Sequence, residues 1–135
     1  MKNQNGFTLI ELVIVIVLLG VLAAIAVPRF VNLEDDAQRV SLTSTASAIT
    51  SAMNINYAEC AVNGHAAAGQ CVQIDNCSDA SSVINNGVTA LAGYTITAGA
   101  VAAPNGTAVS CSITKNGYTG PGSPASFTAV RAGFP

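Results

Sequence analysis

Three sets of residues in this chain have types and spacings that bear on chemistry. One is a lone carboxylate, Glu11, at the head of a run, Leu12 to Val27, with no charged residue. The second is a set of four cysteines, Cys60, Cys71, Cys77 and Cys111, and the third is the one histidine, His65, between the first two of them. Near the centre of a bilayer a carboxylate costs about 2.5 to 3.5 kcal/mol on insertion scales, so Glu11 requires a partner or a place near the interface. One local partner is available. Thr8-Leu9-Ile10-Glu11 is a capping-box pattern, in which hydroxyl and carboxylate satisfy free N–H groups at a helix start, and the helix dipole favours a negative charge there. A capping box normally faces water, whereas this one is flanked by Phe7, Leu9, Ile10 and Leu12.

The cysteines all lie beyond the apolar run, where an oxidising compartment would pair them, and four cysteines allow three connectivities. The favoured pairing is Cys60 with Cys71 and Cys77 with Cys111. The first closes a short loop around Gly64 and Gly69; the second ties an irregular connection to a strand on which Val109, Cys111 and Ile113 share a face. Zinc is the alternative, with His65 beside Cys60 and Cys71, but the spacing fits no standard zinc motif and no C-x-x-C pair occurs. A lone histidine in a loop is ordinarily solvated.

Other chemistry is sparse. One histidine builds no evident catalytic triad, and Glu34, Asp35 and Asp36 read as a solvated helix face. The chain therefore reads as no enzyme, with no cofactor and no metal. Gly120 to Pro124 is a turn segment without a phosphate-loop pattern, and Asn76-Cys77-Ser78 and Asn105-Gly106-Thr107 match only the general N-glycosylation triplet. After Lys2 the basic residues are Arg29, Arg39, Lys115 and Arg131 against seven acids, which argues against a nucleic-acid partner. Charged residues make up 9% of the chain and hydrophobic residues 50%, with a net charge of −2.

These residues must be positioned by two elements. Phe7 to Val27 is long enough, at 1.5 Å per residue, to span a bilayer core of roughly 30 Å. Ala24-Ile25-Ala26 also offers an A-x-A site of a cleaved secretory signal, but an acid inside the stretch weakens that reading. Lys2 before the span and Arg29 after it give little orientation signal. Gly20 and Pro28 are the helix-breaking residues of this segment; alone they mean a kink. Beyond Pro28 the spacing of Phe30, Leu33, Ala37, Val40, Ser44, Ala48, Ala52 and Ile55 predicts one buried helix face, beside polar Glu34, Asp35, Asp36, Gln38 and Arg39. Ser41 to Ser51 is rich in mediocre helix formers, so tertiary packing is expected to hold it.

From Cys60 the composition changes to small and β-branched residues. Asn63-Gly64, Asn86-Gly87, Asn105-Gly106 and Asn116-Gly117 are turn signals, and Tyr94 to Ala98, Thr107 to Thr114 and Ser126 to Arg131 read as strands. The expected fold class is α+β: one long N-terminal helix, apolar in its first half and amphipathic in its second, packed against a small antiparallel sheet. A head of this size has a modest core and benefits from disulfides.

The short head with Lys2, the small residue Gly6, then Phe7 and FTLIEL resemble the signal of type IVa pilins. Pro28-Arg29-Phe30-Val31-Asn32-Leu33-Glu34-Asp35-Asp36-Ala37 resembles the mannose-sensitive haemagglutinin subset. The resemblance covers about the first third strongly; the remainder has only the loose pattern of a pilin head, with an additional cysteine pair. It implies the type IV pilin fold and a division into a leader, residues 1–6, a membrane and filament-core helix half, residues 7–29, and the amphipathic half with the head, residues 30–135. It further implies that a prepilin peptidase cuts between Gly6 and Phe7 and methylates Phe7, and that the new Phe7 amine meets Glu11 of a neighbouring subunit. Such an ion pair would set register more than add stability. The helix between Gly20 and Pro28 would unwind in the filament. The implied role is that of a major pilin for attachment or surface motility, a self-associating helical polymer. It would wait in the inner membrane of a Gram-negative bacterium and grow from an inner-membrane assembly platform through an outer-membrane secretin. A type II secretion pseudopilin shares the N-terminus, but its head typically holds calcium on an acidic C-terminal loop, and this chain has no acid after Asp79. Phe7, Phe30, Tyr57, Tyr94, Tyr118, Phe127 and Phe134 are too sparse for an electron-conducting filament. A soluble module released after Ala26 is the remaining reading.

Overall fold

The computed structural model describes residues 6–66, 71–84 and 91–134. The leader residues 1–5, Gly69 and the Asn86-Gly87 signal lie outside the described residues. Two compact units occur, Met1–Ala37 and Gln38–Pro135. Helix α1, Leu9–Val62, contributes to both.

In the first unit the described large apolar side chains are exposed, from Phe7, just before α1, at 82% to Val13 at 40%. The helix runs through Gly20 and Pro28 without interruption. A Cβ at Gly20 would meet nothing, so no close neighbour requires glycine there.

In the second unit α1 buries Leu42, Ala46, Ile49, Met53, Asn56 and Cys60. Their spacing alternates four and three, one face of a helix. This corrects the face expected from the sequence. Leu33, Val40 and Ile55 are each 60% exposed or more, Ser44 and Ala48 are exposed, and Ala52 is half-buried. Both stripes have helical period; the buried one carries the larger Leu42, Ile49 and Met53, and burial of apolar area selects it. The Ser/Thr-rich stretch is held partly by its own hydroxyls. Those of Ser44, Thr45, Ser47, Thr50 and Ser51 donate to the carbonyls of Val40, Ser41, Thr43, Ala46 and Ser47 at 2.6 to 3.1 Å.

Asn63-Gly64 ends α1. Gly64 has φ +63°, the Gly64 N–H donates to Ala61 and the His65 N–H to Cys60 at 2.7 Å, which together form a Schellman cap.

Strands β1 (Tyr94–Ile96), β2 (Ala108–Lys115) and β3 (Ala125–Val130) form an antiparallel sheet in chain order. Cys111 pairs with Phe127 and Ile113 with Ala125, and these four side chains are buried in the core with α1. The alternate residues face outward, with Ser110 opposite Thr128 and Ser112 opposite Ser126. Between α1 and β1 a short 3-10 turn, Cys77–Asp79, leads into α2, Ala80–Val83. The turn is capped by Asn76, whose Oδ1 accepts from the Ser78 N–H, while Asp79 accepts from the Asn76 N–H. Single bridges, Ile74 with Ala132 and Asn76 with Ala100, join this connection to the segments that follow β3 and β1. The long helix with its small antiparallel sheet fits the type IV pilin fold.

Candidate assembly site

Glu11 sits in the first turn of α1. Its Oε2 accepts the Thr8 N–H at 2.9 Å and the Thr8 hydroxyl at 2.8 Å, and the Glu11 N–H donates to Thr8 Oγ1 at 3.3 Å. The capping box is therefore formed within one chain. Both contacts use the same carboxylate oxygen, and among the described residues Oε1 has no partner. The cap thus leaves half of the carboxylate open to a second donor. Gly6 and Phe7, directly before this turn, are exposed.

In the second unit α1 leaves Val40, Ile55 and Val62 exposed, at 60%, 62% and 87%. Ser44, Ser47 and Ser51 are exposed along the same part of α1, and their hydroxyls are already bonded within the helix. Burying those hydroxyls would leave no donor unmet.

The head that carries this helix is held by two disulfides. Cys60 is bonded to Cys71 and Cys77 to Cys111, with Cα separations of 4.7 and 5.8 Å. With Cys60 and Cys71 joined to each other, neither supplies a thiolate beside His65. His65 instead lies against Tyr57, ring centroids 5.6 Å apart, with φ +57° just past the helix cap.

Both glycosylation triplets are engaged in the fold. Asn105 Nδ2 donates to the Gly133 carbonyl at 2.8 Å and the Thr107 hydroxyl to Pro104 at 2.7 Å, while Asn76 Oδ1 also accepts from the Gly99 N–H. A further polar tie joins α1 to the sheet. The Ser41 hydroxyl lies 2.8 Å from the Tyr94 hydroxyl and accepts from Lys115 Nζ at 3.3 Å. Hydrogen bonds from Ser41 and then Thr45, with the Lys115 charge, hold the Tyr94 phenol below its ordinary value. Sequence reading did not single out this tie, because Ser41 and Lys115 are 74 residues apart.

Residues 1–27 match the family model described as the prokaryotic N-terminal methylation motif. The chain is 57% identical over 53 residues to the type IV narrow pilus major component PilA5 of Thermus thermophilus, covering 39% of this chain and 46% of that protein. It is 40% identical over 55 residues to the type II secretion system core protein G of Klebsiella pneumoniae, covering 41% and 39%. It is 37% identical over 57 residues to the type IV major pilin protein PilA of Myxococcus xanthus, covering 42% and 26%. The chain spans less than half the length of these relatives. No solved structure matches it. Pilins and a secretion-system core protein therefore share the likeness over a similar length of chain.

Proposed function

We propose that this chain is a structural subunit, the major pilin, of a type IV pilus that serves surface attachment and, where the filament retracts, twitching motility. The observation that carries the reading is α1 itself, whose described large apolar side chains are all exposed through Val27. Such a surface needs lipid before assembly and other copies of the helix after it. The role is structural, without a catalytic step.

Maturation and assembly follow from the same reading. A prepilin peptidase removes residues 1–6 by cutting between Gly6 and Phe7 and methylates Phe7. Residues 7–29 then anchor the subunit in the inner membrane of a Gram-negative bacterium and become filament core, while residues 30–135 carry the amphipathic half and head. On incorporation through the assembly platform and secretin, the Phe7 amine of one subunit meets Glu11 of its neighbour. The open Oε1 supports that role alongside the cap. The helix between Gly20 and Pro28 unwinds in the filament, where proline has already removed one backbone bond. The segment from Pro28 to Ala37 supports placing the chain near the mannose-sensitive haemagglutinin pilins.

The core protein G likeness supports a second reading, a type II secretion pseudopilin. The head argues against it, since its C-terminal part carries no acid after Asp79 to hold calcium. Mass spectrometry of filaments sheared from the cell surface tests the choice. This chain, starting at N-methylated Phe7, should be their dominant protein. A mature start at Val27, or absence from surface filaments, would overturn the reading.

A further inference from the structure

Three Asn-Gly pairs lie among the described residues, and their surroundings differ. Asn105-Gly106 and Asn116-Gly117 occupy the same kind of turn. The Thr107 N–H closes the first on the Pro104 carbonyl and the Tyr118 N–H closes the second on the Lys115 carbonyl, each at 3.1 Å, with φ +89° at Gly106 and +80° at Gly117. The first turn is locked from outside. Asn105 Nδ2 donates to the Gly133 carbonyl at 2.8 Å and the Gly106 N–H to the Arg131 carbonyl at 2.9 Å. Asn63-Gly64 is locked within the helix cap, where Asn63 Nδ2 donates to the Glu59 carbonyl at 3.0 Å and the Gly64 N–H to the Ala61 carbonyl at 3.1 Å. At Asn116-Gly117 neither the carboxamide nitrogen nor the glycine N–H has a partner among the described residues, and both residues are exposed. A Cβ at Gly117 would meet nothing, so the nitrogen beside it is open as well. The Asn116 carboxamide is instead held by its oxygen, to which the Thr95 hydroxyl donates at 2.8 Å.

We propose that Asn116 is a site of spontaneous covalent modification, at which the Gly117 nitrogen closes on the Asn116 side chain and the carboxamide becomes a carboxylate. The Gly117 amide nitrogen gives its proton to solvent hydroxide and forms a bond to Asn116 Cγ. The bond from Cγ to Nδ2 then breaks, and Nδ2 leaves as ammonia with a proton taken from water. Water opens the resulting five-membered imide at either carbonyl, which yields an aspartyl or an isoaspartyl residue. The sum is one water consumed and one ammonia released. Three features select this pair. Glycine carries no Cβ to hinder its own nitrogen. The Thr95 hydroxyl donates to the oxygen on which negative charge develops as the bond to Cγ forms, the placement that stabilises such a charge. No hydrogen bond has to open first, whereas two must open at Asn63 and at Asn105, and each lowers the reactive population by about fivefold. The product adds a negative charge to a chain whose net charge is −2, so the turn grows more acidic as the protein ages. The site lies within the head and operates whether or not the chain polymerises.

The test uses the full-length chain in detergent with its disulfides intact, held in mildly alkaline buffer made with heavy-oxygen water and mapped by mass spectrometry. The Asn116 peptide should exchange its NH2 for a labelled OH about tenfold or more faster than the Asn63 and Asn105 peptides. It should yield both aspartyl and isoaspartyl forms. In denaturant and reductant the three sites should convert at comparable rates, because the hydrogen bonds that distinguish them are gone. Thr95→Val keeps the shape of the side chain and removes the hydroxyl, so it should slow Asn116 about threefold or more in the folded chain and leave the denatured rate unchanged. A loosened head would instead speed Asn63 and Asn105, which separates damage to the fold from loss of the hydroxyl. Equal rates at the three sites in the folded chain, or no conversion of Asn116 where the denatured chain converts, would overturn the proposal. An Asn116 rate indifferent to Thr95→Val would overturn the part assigned to the hydroxyl.

Discussion

The Asn56 carboxamide holds both backbone groups of Val72. Its Nδ2 donates to the Val72 carbonyl at 2.8 Å and its Oδ1 accepts the Val72 N–H at 2.8 Å. Asn56 is 4% exposed and is the polar member of the buried face of α1. One side chain thus stands in for a neighbouring strand and fixes the chain directly after Cys71.

Asn56→Leu keeps the volume similar but leaves both Val72 groups without a partner. An unsatisfied buried polar group costs about 1 to 3 kcal/mol, so the detergent-solubilised chain should lose about 2 kcal/mol or more and melt several degrees lower. An unchanged melting temperature would mean that water replaces the carboxamide at no cost.

Cys77→Ser should destabilise the head by about 2 to 5 kcal/mol, the usual range for a disulfide in a small secreted domain. The bond joins the 3-10 turn to β2 across 34 residues of sequence. Fewer surface filaments should follow from the lower stability. Peptide mapping without reductant should recover Cys60 with Cys71 and Cys77 with Cys111, and free thiols in the filament would contradict the account.

Much of this architecture was legible in the residues. The strands lie within two residues of their sequence-derived limits, because Gly-containing turns and β-branched runs punctuate the chain locally. The phase of α1 beyond Pro28 was not legible. In a helix of Ala, Ser and Thr two stripes share the same period, and only the sheet decides which is covered. Asn56 escaped notice for the same reason, since its value lies in Val72, 16 residues away. The capping box was readable because Thr8 and Glu11 need nothing beyond their own helix turn. Whether Glu11 also meets a neighbour depends on a second chain.

Glu11→Gln separates those two roles. The glutamine amide still accepts and donates, so the cap and membrane insertion should persist, and cleavage after Gly6 should continue. The charge opposite a neighbouring Phe7 amine is lost, so filaments should be fewer and shorter. Co-expression with the normal subunit should allow partial incorporation. Filaments of normal number and length from Glu11→Gln alone would confine Glu11 to capping.

The measurement that bears most directly on the central claim is electron microscopy of cells with and without this chain. Cells producing it should carry thin surface filaments that vanish on its deletion and return when the chain is restored. Filaments of unchanged number in its absence would contradict its assignment as the major subunit.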